Sequence, residues 1–161
     1  MYTYTVSLAP AGEGGFVVTL PAFPEVVTQG ESRAEALASA QDALDEALAN
    51  RIVHGMEIPR PSRAKSSSVV EASPYMTLKV ALHEALLRSN LTKGQLARRL
   101  DLAETEIRRM LDPRHPTKFQ RLTEALSELG VGVQVTLHTA GSSAMRSQKG
   151  VPRRDAHVSR A

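Results

Sequence analysis

Polar side chains between residues 93 and 112 recur at a spacing that suits contact with double-stranded DNA. Small or apolar residues stand where two short helices would cross, which leaves the intervening polar positions on the open face of the second helix. Thr105, Arg108 and Arg109 fall on that face, and Arg matches the O6 and N7 acceptors of guanine in the major groove. The pattern predicts a helix-turn-helix in which these three residues contact bases. The packing positions are Leu96, Ala97, Leu100, Leu102, Ile107 and Met110.

Further polar residues flank the two predicted helices and would lie near DNA phosphates. Asp101 stands at the turn position where Gly is expected, although Asp tolerates the left-handed backbone better than most residues. Glu104 and Glu106 suit the N-terminal end of the helix dipole, but they would repel phosphates unless they turn away or accept from a cytosine amine. The predicted phosphate contacts are Lys93, Gln95, Arg114 and Lys118.

The competing interpretation of this segment is a small helical bundle whose Arg side chains are only solvated. We favour the helix-turn-helix because all the packing positions fit together. A unit this small and weakly charged would bind DNA weakly as a monomer. We therefore expect a homodimer, or a higher even-numbered homo-oligomer, on an operator with two half-sites.

Other chemistry finds little support in the sequence. The chain contains no cysteine, which excludes a thiolate zinc site and a cysteine nucleophile. Gly12, Gly14 and Gly15 belong to a predicted hairpin turn and not to a phosphate-binding loop after a strand. The histidines show no pair at metal-binding spacing, so we expect no metal, no cofactor and no catalytic residue. They are His54, His83, His115, His138 and His157.

The formal net charge of +3 on this 161-residue chain hides an uneven distribution. Residues 1–75 hold five basic and nine acidic residues, a net charge of −4, whereas residues 76–139 carry +3 and residues 140–161 carry +4. An acidic half joined to a basic half favours two modules with different partners. The predicted divisions are a domain at 1–74, a second domain at 75–138 and a disordered basic tail at 139–161.

The first domain is predicted to be a small β-β-β-α-β unit in an α+β protein. Its strands alternate Tyr, Thr and Val with polar residues, and Pro21 and Pro24 interrupt the pairing. Ser32 and Glu35 fit a capping box that opens a helix ending near Arg51. The strands are predicted at 2–8, 16–20, 26–29 and 67–73, the last after a Pro-rich connection at 58–65.

That helix has one face of Ala and Leu, which would cover the sheet, and one acidic face, which would be solvated. The predicted inward residues are Leu37, Ala40, Leu44, Ala47 and Leu48, and the predicted solvated residues are Asp42, Asp45 and Glu46.

The second domain is predicted to be all-helical, with a short strand at its end. Thr92 and Gln95 form another capping-box pattern, Thr117 opens a last helix, and Gly130 ends that helix. Alternating apolar residues at 131–137 predict the terminal strand, which either pairs between subunits or folds back onto its own domain. The helices are predicted at 78–89, 92–100 and 104–111, and the last helix would bury Phe119, Leu122, Leu126 and Leu129.

The chain from about residue 2 to residue 138 resembles the HicB-type antitoxins. Tyr4 to Leu8 and the segment EGGFVVTLPAFPEVVTQGES at 13–32 match the family's glycine turn, strand, P-x-x-P-E and T-x-G-E-[ST] pattern. LTKGQLARRL at 91–100 and EIRRMLDPRHPTKFQRLTEALSELG at 106–130 match its C-terminal half. The order of the two halves makes the resemblance specific. The Pro-rich connection and the tail match no family feature.

The resemblance implies a partial RNase H-like fold in front of a helix-turn-helix domain, inhibition of a small HicA-type mRNA-cleaving toxin, and repression of the chain's own operon. A working RNase H-like nuclease needs several carboxylates for two metal ions, and the first strand has none. The acidic half would then face the toxin's basic RNA-binding surface, either through the strand edge at 23–31 or through the outer helix face. Solvation of these residues is the alternative. The predicted toxin contacts are Phe23, Glu25, Gln29 and Glu31.

Two other functions compete with this interpretation. One is a stand-alone helix-turn-helix regulator whose N-terminal module senses a small molecule, for which the sequence shows no pocket signature. The other is an RNA-cleaving enzyme, which would require metal-dependent activity. No apolar run approaches the ~20 residues that span a bilayer, and the N-terminus lacks a signal-peptide pattern. We therefore expect a cytoplasmic protein without membrane contact.

Overall fold

The computed structural model describes residues 2–62 and 68–136, and it joins a β-rich N-terminal half to a helical C-terminal half. This mixed arrangement confirms the predicted α+β class. The first half contains β1 (Thr3–Thr5), β2 (Ser7–Pro10), β3 (Phe16–Leu20), β4 (Phe23–Gly30), α1 (Arg33–Val53) and β5 (Val69–Glu71). The second half contains α2 (Pro74–Ser89), α3 (Lys93–Arg99), α4 (Glu104–Leu111) and α5 (Phe119–Glu128).

The single strand predicted at 2–8 is two strands with different partners. β1 pairs antiparallel with β5, while β2 pairs antiparallel with β3, which in turn pairs with β4. Val6 stands between the two, and its N–H donates to the carbonyl of Ser68 at 3.2 Å. The start of the N-terminal segment therefore belongs to the ladder with β5, and its end belongs to the ladder with β3.

β4 begins earlier than the strand predicted at 26–29, and it includes Pro24. The pairing with β3 is interrupted at Pro24, as the sequence predicts, but the strand itself continues through this residue for two reasons. The ladder register shifts near Leu20, which lies opposite Phe23, so Pro24 falls in a stretch that gives no partner to β3. β4 is also an edge strand within the described sheet, where a missing N–H is tolerated.

The helix α1 covers the sheet with the face that the sequence predicts. Ser32 caps it by accepting from the Glu35 N–H at 3.2 Å. The Glu35 carboxylate returns to the Glu31 N–H at 3.0 Å, one residue earlier than the predicted capping box requires. Leu37 is only half-buried. The fully packed residues of this face are Ala36, Ala40, Leu44, Ala47, Leu48, Ala49 and Ile52.

The acidic face of α1 is not simply solvated, because two of its three carboxylates bind the second half. The Asp45 carboxylate accepts from the backbone N–H of Ser73 at 3.0 Å, directly before α2. Glu46 forms an ion pair with Arg114. Only Asp42 remains as an exposed carboxylate without a recorded partner among the described residues. The prediction of one solvated acidic face was therefore wrong for Asp45, whereas Glu46 stays exposed while it pairs with Arg114.

The end of the second half also differs from the prediction. α5 begins at Phe119, which is 54% exposed and not buried, because the packed positions of α5 start only at Leu122. Gly130 ends the helix with φ +77°, as predicted. Residues 131–136 form no strand within the chain, so the prediction that they fold back as a strand onto their own domain was wrong. Pairing of this segment between subunits stays a prediction. Leu137 and the predicted tail lie outside the described residues.

We predict that Gly30→Ala destabilises the N-terminal half. An added Cβ at Gly30 would stand 2.8 Å from the Cα of Ala36, in the first turns of α1. The added Cβ would meet main-chain atoms, which cannot move aside as the end of a flexible side chain can. Overpacking should therefore lower the free energy of unfolding by about 1–3 kcal/mol. Urea denaturation followed by circular dichroism measures the change. Gly12→Ala is the matched control, because nothing lies within 4 Å of its Cβ position; equal stability of the two variants would contradict the prediction.

Candidate nucleic-acid interface

The α3–α4 pair is shaped by local capping and a tight connection. The Thr92 hydroxyl accepts from the Gln95 N–H at 3.1 Å, and the Gln95 side chain accepts from the Thr92 N–H at 2.8 Å. The predicted capping box is thus confirmed. It occupies the side-chain oxygen of Gln95, which is one of the predicted phosphate contacts. Asp101 adopts φ +53° in the connection, and the Leu102 N–H donates to the Ala97 carbonyl at 2.9 Å.

The two sides of α4 differ in burial as the sequence predicts. Ile107 is fully buried and Met110 is 4% exposed. Thr105, Arg108 and Arg109 are exposed, and they share one face because positions three and four residues apart are neighbours on a helix. This face carries the predicted base contacts together.

The two acidic side chains of α4 are engaged within their own helix. Glu104 binds Arg108 at 2.7 Å in an i,i+4 ion pair. Glu106 accepts from the Ala103 N–H at 3.3 Å and so closes the helix N-terminus. Arg109 has no ion pair or hydrogen bond among the described residues. Of the two Arg side chains on this face, Arg109 therefore carries the less neutralised charge.

Two grooves with basic rims lie on either side of α4. One, of about 550 Å³, brings together Lys93, Arg108 and Arg114 beside apolar residues of α1 and α2. The other, of about 190 Å³, is lined by Arg109, Lys118 and Arg121 together with Glu106 and His115. The predicted base and phosphate contacts other than Thr105 and Gln95 therefore divide between these grooves.

Arg114 and Arg121 differ from what the sequence predicts for this interface. Arg114, a predicted phosphate contact, is already paired with Glu46 of α1. Arg121 was missed by the sequence analysis, although it lies three residues after Lys118 in the first turn of α5. That spacing was the signal that could have found it, because residues three apart share a helix face.

A buried lysine holds the loop between α4 and α5. Lys79 of α2 is 1% exposed. Its Nζ lies 2.8, 2.9 and 3.0 Å from the carbonyl oxygens of Met110, Asp112 and His115, and 3.0 Å from the Thr117 hydroxyl. The N–H groups of the ammonium are shared among these oxygens, because they are fewer than the acceptors. The ammonium group thus closes the C-terminal end of α4, where the helix dipole favours a cation. Sequence reasoning missed Lys79, because an isolated lysine in an amphipathic helix gives no pattern to detect.

Tyr75 completes this clasp one helical turn before Lys79. Its hydroxyl donates to the His115 carbonyl at 2.9 Å and accepts from the Thr117 N–H at 2.7 Å. The Lys79 ammonium also lies 5.4 Å from the centre of the Tyr75 ring, a cation–π distance. Burial lowers the pKa of Lys79, against the opposing effects of Tyr75 and Asp112. The loop that carries Arg114 is therefore fixed by α2.

The predicted toxin contacts at β4 differ in accessibility. Phe23 is fully buried, packs edge-on against Tyr4 with ring centres 4.9 Å apart, and is covered by Arg51. It belongs to the core and is not available as a contact, so that prediction was wrong. Glu25 binds Arg51 at 2.7 Å; slight burial raises the pKa of Glu25, but its backbone hydrogen bond and Arg51 hold it below the usual value. Gln29 and Glu31 are exposed.

The described residues lack the side-chain cluster that a metal ion needs and the long apolar helix that a membrane span needs. They contain no group of three or more His, Cys, Asp or Glu side chains that could hold a metal ion. His138 and His157 lie outside them. Within the same ranges, no helix has the length and apolar character needed to cross a membrane.

The sequence of the chain is similar to those of several known proteins. Residues 3–81 match a family model described as the HicB_like antitoxin of bacterial toxin-antitoxin systems. The chain is 38% identical over 128 residues to antitoxin HicB of Escherichia coli (strain K12), an alignment that covers 79% of this chain and 93% of the relative. It is 37% identical over 134 residues to antitoxin HicB 1 of Photorhabdus laumondii subsp. laumondii, covering 83% and 84%. The chain belongs to the HicB-like antitoxin family.

We predict that Lys79→Ala destabilises the helical half. The substitution leaves three backbone carbonyls and the Thr117 hydroxyl without their shared donor, which should lower the free energy of unfolding by about 2–4 kcal/mol. Thermal and urea unfolding measure the loss. Arg98→Ala, on the exposed side of α3, is the matched removal of a cation and should change stability by less than about 0.5 kcal/mol. A loss of the same size in both variants would argue against the clasp.

Proposed function

We propose that the chain is an antitoxin that binds and inhibits a small HicA-type ribonuclease toxin and represses its own operon by binding operator DNA. The observation that carries the proposal is the family membership of the chain, together with the exposed basic face of α4. The N-terminal half would bind the toxin, and α3 and α4 would form a helix-turn-helix. The place of action would be the cytoplasm.

The geometry of α3 and α4 supports the DNA-binding half of the proposal. A helix-turn-helix places the N-terminal part of its second helix in the major groove and its flanking segments on the backbone. On α4, Thr105, Arg108 and Arg109 face outward together. The basic rims of the two grooves lie on either side of that helix, where phosphates of the two strands would pass.

The carboxylates of α4 remove an objection that the sequence raises. Glu104 and Glu106 would repel phosphates if they were free. Glu104 instead neutralises part of the Arg108 charge, and Glu106 serves the helix N-terminus. Arg109 thus becomes the leading candidate for a guanine contact, with Arg108 available once Glu104 releases it. Two such units in a homodimer would read two half-sites.

The N-terminal half offers an acidic surface for the toxin. A groove of about 760 Å³ lies between the β2–β3 turn, the end of β4 and the start of α1, and it collects Glu13, Glu31 and Glu35 beside Gln29. A toxin that binds RNA presents cationic side chains, which this surface would attract. The β-strand and helix order is compatible with a partial RNase H-like fold used for binding and not for catalysis.

We predict that Arg109→Ala weakens specific operator binding. Loss of a bidentate guanine contact costs about 1–3 kcal/mol, which corresponds to roughly a fivefold to 150-fold rise in Kd. Titration of a labelled promoter fragment from the chain's own operon, beside a scrambled duplex at the same salt concentration, separates specific from general affinity. Arg33→Ala, in the first turn of α1, removes the same charge far from α4. Unchanged operator affinity in Arg109→Ala would remove this residue from the interface.

We also predict that charge reversal in the acidic groove weakens toxin inhibition. The product of the neighbouring small reading frame should inhibit growth of the host cells when expressed alone. Co-expression with this chain should restore growth, and the two proteins should purify together. Glu13→Lys with Glu31→Lys should reduce both effects, because the altered groove repels a basic partner. Glu57→Lys, an exposed carboxylate after α1, is the control. Undiminished toxicity with the wild-type chain, and no complex, would refute the antitoxin half of the proposal.

A further inference from the structure

The Glu104 carboxylate lies in the first turn of α4, the helix that carries the predicted base contacts. We propose that Glu104 is a positioning residue, which holds Arg108 back from DNA phosphates and so raises the preference of the chain for its operator over DNA of other sequences. This role rests on the proposed DNA binding by α4 and adds to it a source of discrimination. It also gives a purpose to a negative charge on a face that must approach a polyanion.

One oxygen of Glu104 binds a single edge of the Arg108 guanidinium group. Oε1 of Glu104 accepts from Nε of Arg108 at 3.1 Å and from Nη2 at 2.7 Å. An Arg side chain has five N–H donors in a planar fork, so both N–H groups of Nη1 and one of Nη2 stay outside this contact. The pair therefore balances the charge of Arg108 while part of its fork stays open.

The second oxygen of Glu104 lies against α3. A Cβ added at Gly94 would stand 3.0 Å from Oε2, which is closer than ordinary van der Waals contact. Glycine is a poor helix former, but at this position in α3 it leaves room for the carboxylate. The helix dipole also favours a negative charge in the first turn of α4. The place of Glu104 is therefore set by both helices of the pair and not by Arg108 alone.

A balanced charge on Arg108 affects its two possible DNA contacts unequally. Attraction to phosphates depends on the charge of the side chain and is independent of sequence. A phosphate that approached Arg108 would also meet the carboxylate of Glu104, which repels it. A guanine contact depends instead on directed hydrogen bonds to O6 and N7. Glu104 therefore weakens the sequence-independent contact of Arg108 more than the sequence-dependent one.

A second carboxylate on the same side of α4 provides a comparison. Arg114 lines the same groove as Arg108 and is paired with Glu46 of α1. Arg114 lies beyond the end of α4, among the predicted phosphate contacts, and a phosphate contact carries no sequence information. The charge of Glu46 should therefore lower the affinity for every duplex by the same factor, whereas that of Glu104 should not.

Glu104→Gln in the full chain tests this role, because the amide keeps the shape of the side chain and removes its charge. The ion pair is exposed, so its loss should change stability little. Affinity is measured at one salt concentration for a duplex from the promoter of the chain's own operon and for a scrambled duplex. The operator preference is the ratio of the two dissociation constants.

We expect Glu104→Gln to bind the scrambled duplex about threefold to fivefold more tightly, and the operator less than about 1.5-fold more tightly. The operator preference should thus fall at least about twofold. An unchanged preference would overturn the proposal.

The salt dependence of binding shows whether Arg108 has moved to a phosphate. On B-DNA, each phosphate that a protein neutralises adds about −0.9 to the slope of log K against log salt concentration. For the scrambled duplex, Glu104→Gln should steepen this slope by about 0.9 per bound chain, which a change in stability alone would not do. An unaltered slope with a gain in affinity would contradict the proposal, because the gain would not come from a new phosphate contact.

Two further variants separate Glu104 from negative charge in general. Glu46→Gln frees Arg114 and should raise both affinities by the same factor, so the operator preference stays at the wild-type value. In an Arg108→Ala background, Glu104→Gln should leave the preference of that background unchanged, because the side chain through which Glu104 acts is absent. An equal loss of preference in Glu46→Gln, or a loss that persists without Arg108, would count against the role of Glu104.

The wild-type chain separates this role from the DNA-binding proposal on which it rests. If the wild-type chain binds operator and scrambled duplexes equally, operator recognition by α4 fails, and the role of Glu104 fails with it. If the wild-type chain prefers its operator and Glu104→Gln shows the same preference, only the role of Glu104 is overturned.

Discussion

The two halves of the molecule depend on one helix whose opposite faces are buried in different cores. Met76 and Val80 of α2 join the core formed by the sheet and α1, while Leu78, Leu82 and Ala85 join the core formed by α3, α4 and α5. A helix packed on two sides cannot shift toward one core without exposing apolar area of the other core to water. That exposure costs a free energy of about 25 cal/mol per Å². The position of α4 relative to the sheet is therefore set by side-chain packing and not by a linker.

Lys79 adds a polar constraint to this apolar one. Burying an ammonium group is costly, and the lowered pKa of Lys79 reflects that burial. Its four oxygen acceptors offset the cost only while the loop after α4 keeps its shape. The same loop carries Arg114, which reaches Glu46 of α1. One ion pair between the oppositely charged halves, Arg114 with Glu46, thus lies at the exposed surface beside this loop.

Features that depend on neighbours in sequence could be predicted, and features that depend on distant partners could not. The Thr92 capping box, the left-handed Asp101 and the end of α5 at Gly130 follow from a few adjacent residues, and so does the exposed face of α4. The burial of Phe23 depends instead on Tyr4 and on a register shift in the ladder, neither of which leaves a local pattern. The same reason explains why the first strand divides, why Asp45 and Glu46 are engaged, and why Lys79 went unnoticed in the candidate site. Arg121 is different, because its spacing from Lys118 is a local signal.

The two proposed interaction surfaces lie at opposite ends of α1. The acidic groove lies at the start of α1, beside the β2–β3 turn and the end of β4, whereas the groove that holds Lys93 and Arg108 lies against Ile52 and Val53 at the end of α1. Contacts at one surface therefore need not displace contacts at another. Because α2 is shared by both cores and its first turns hold the loop after α4, both surfaces belong to one packed unit.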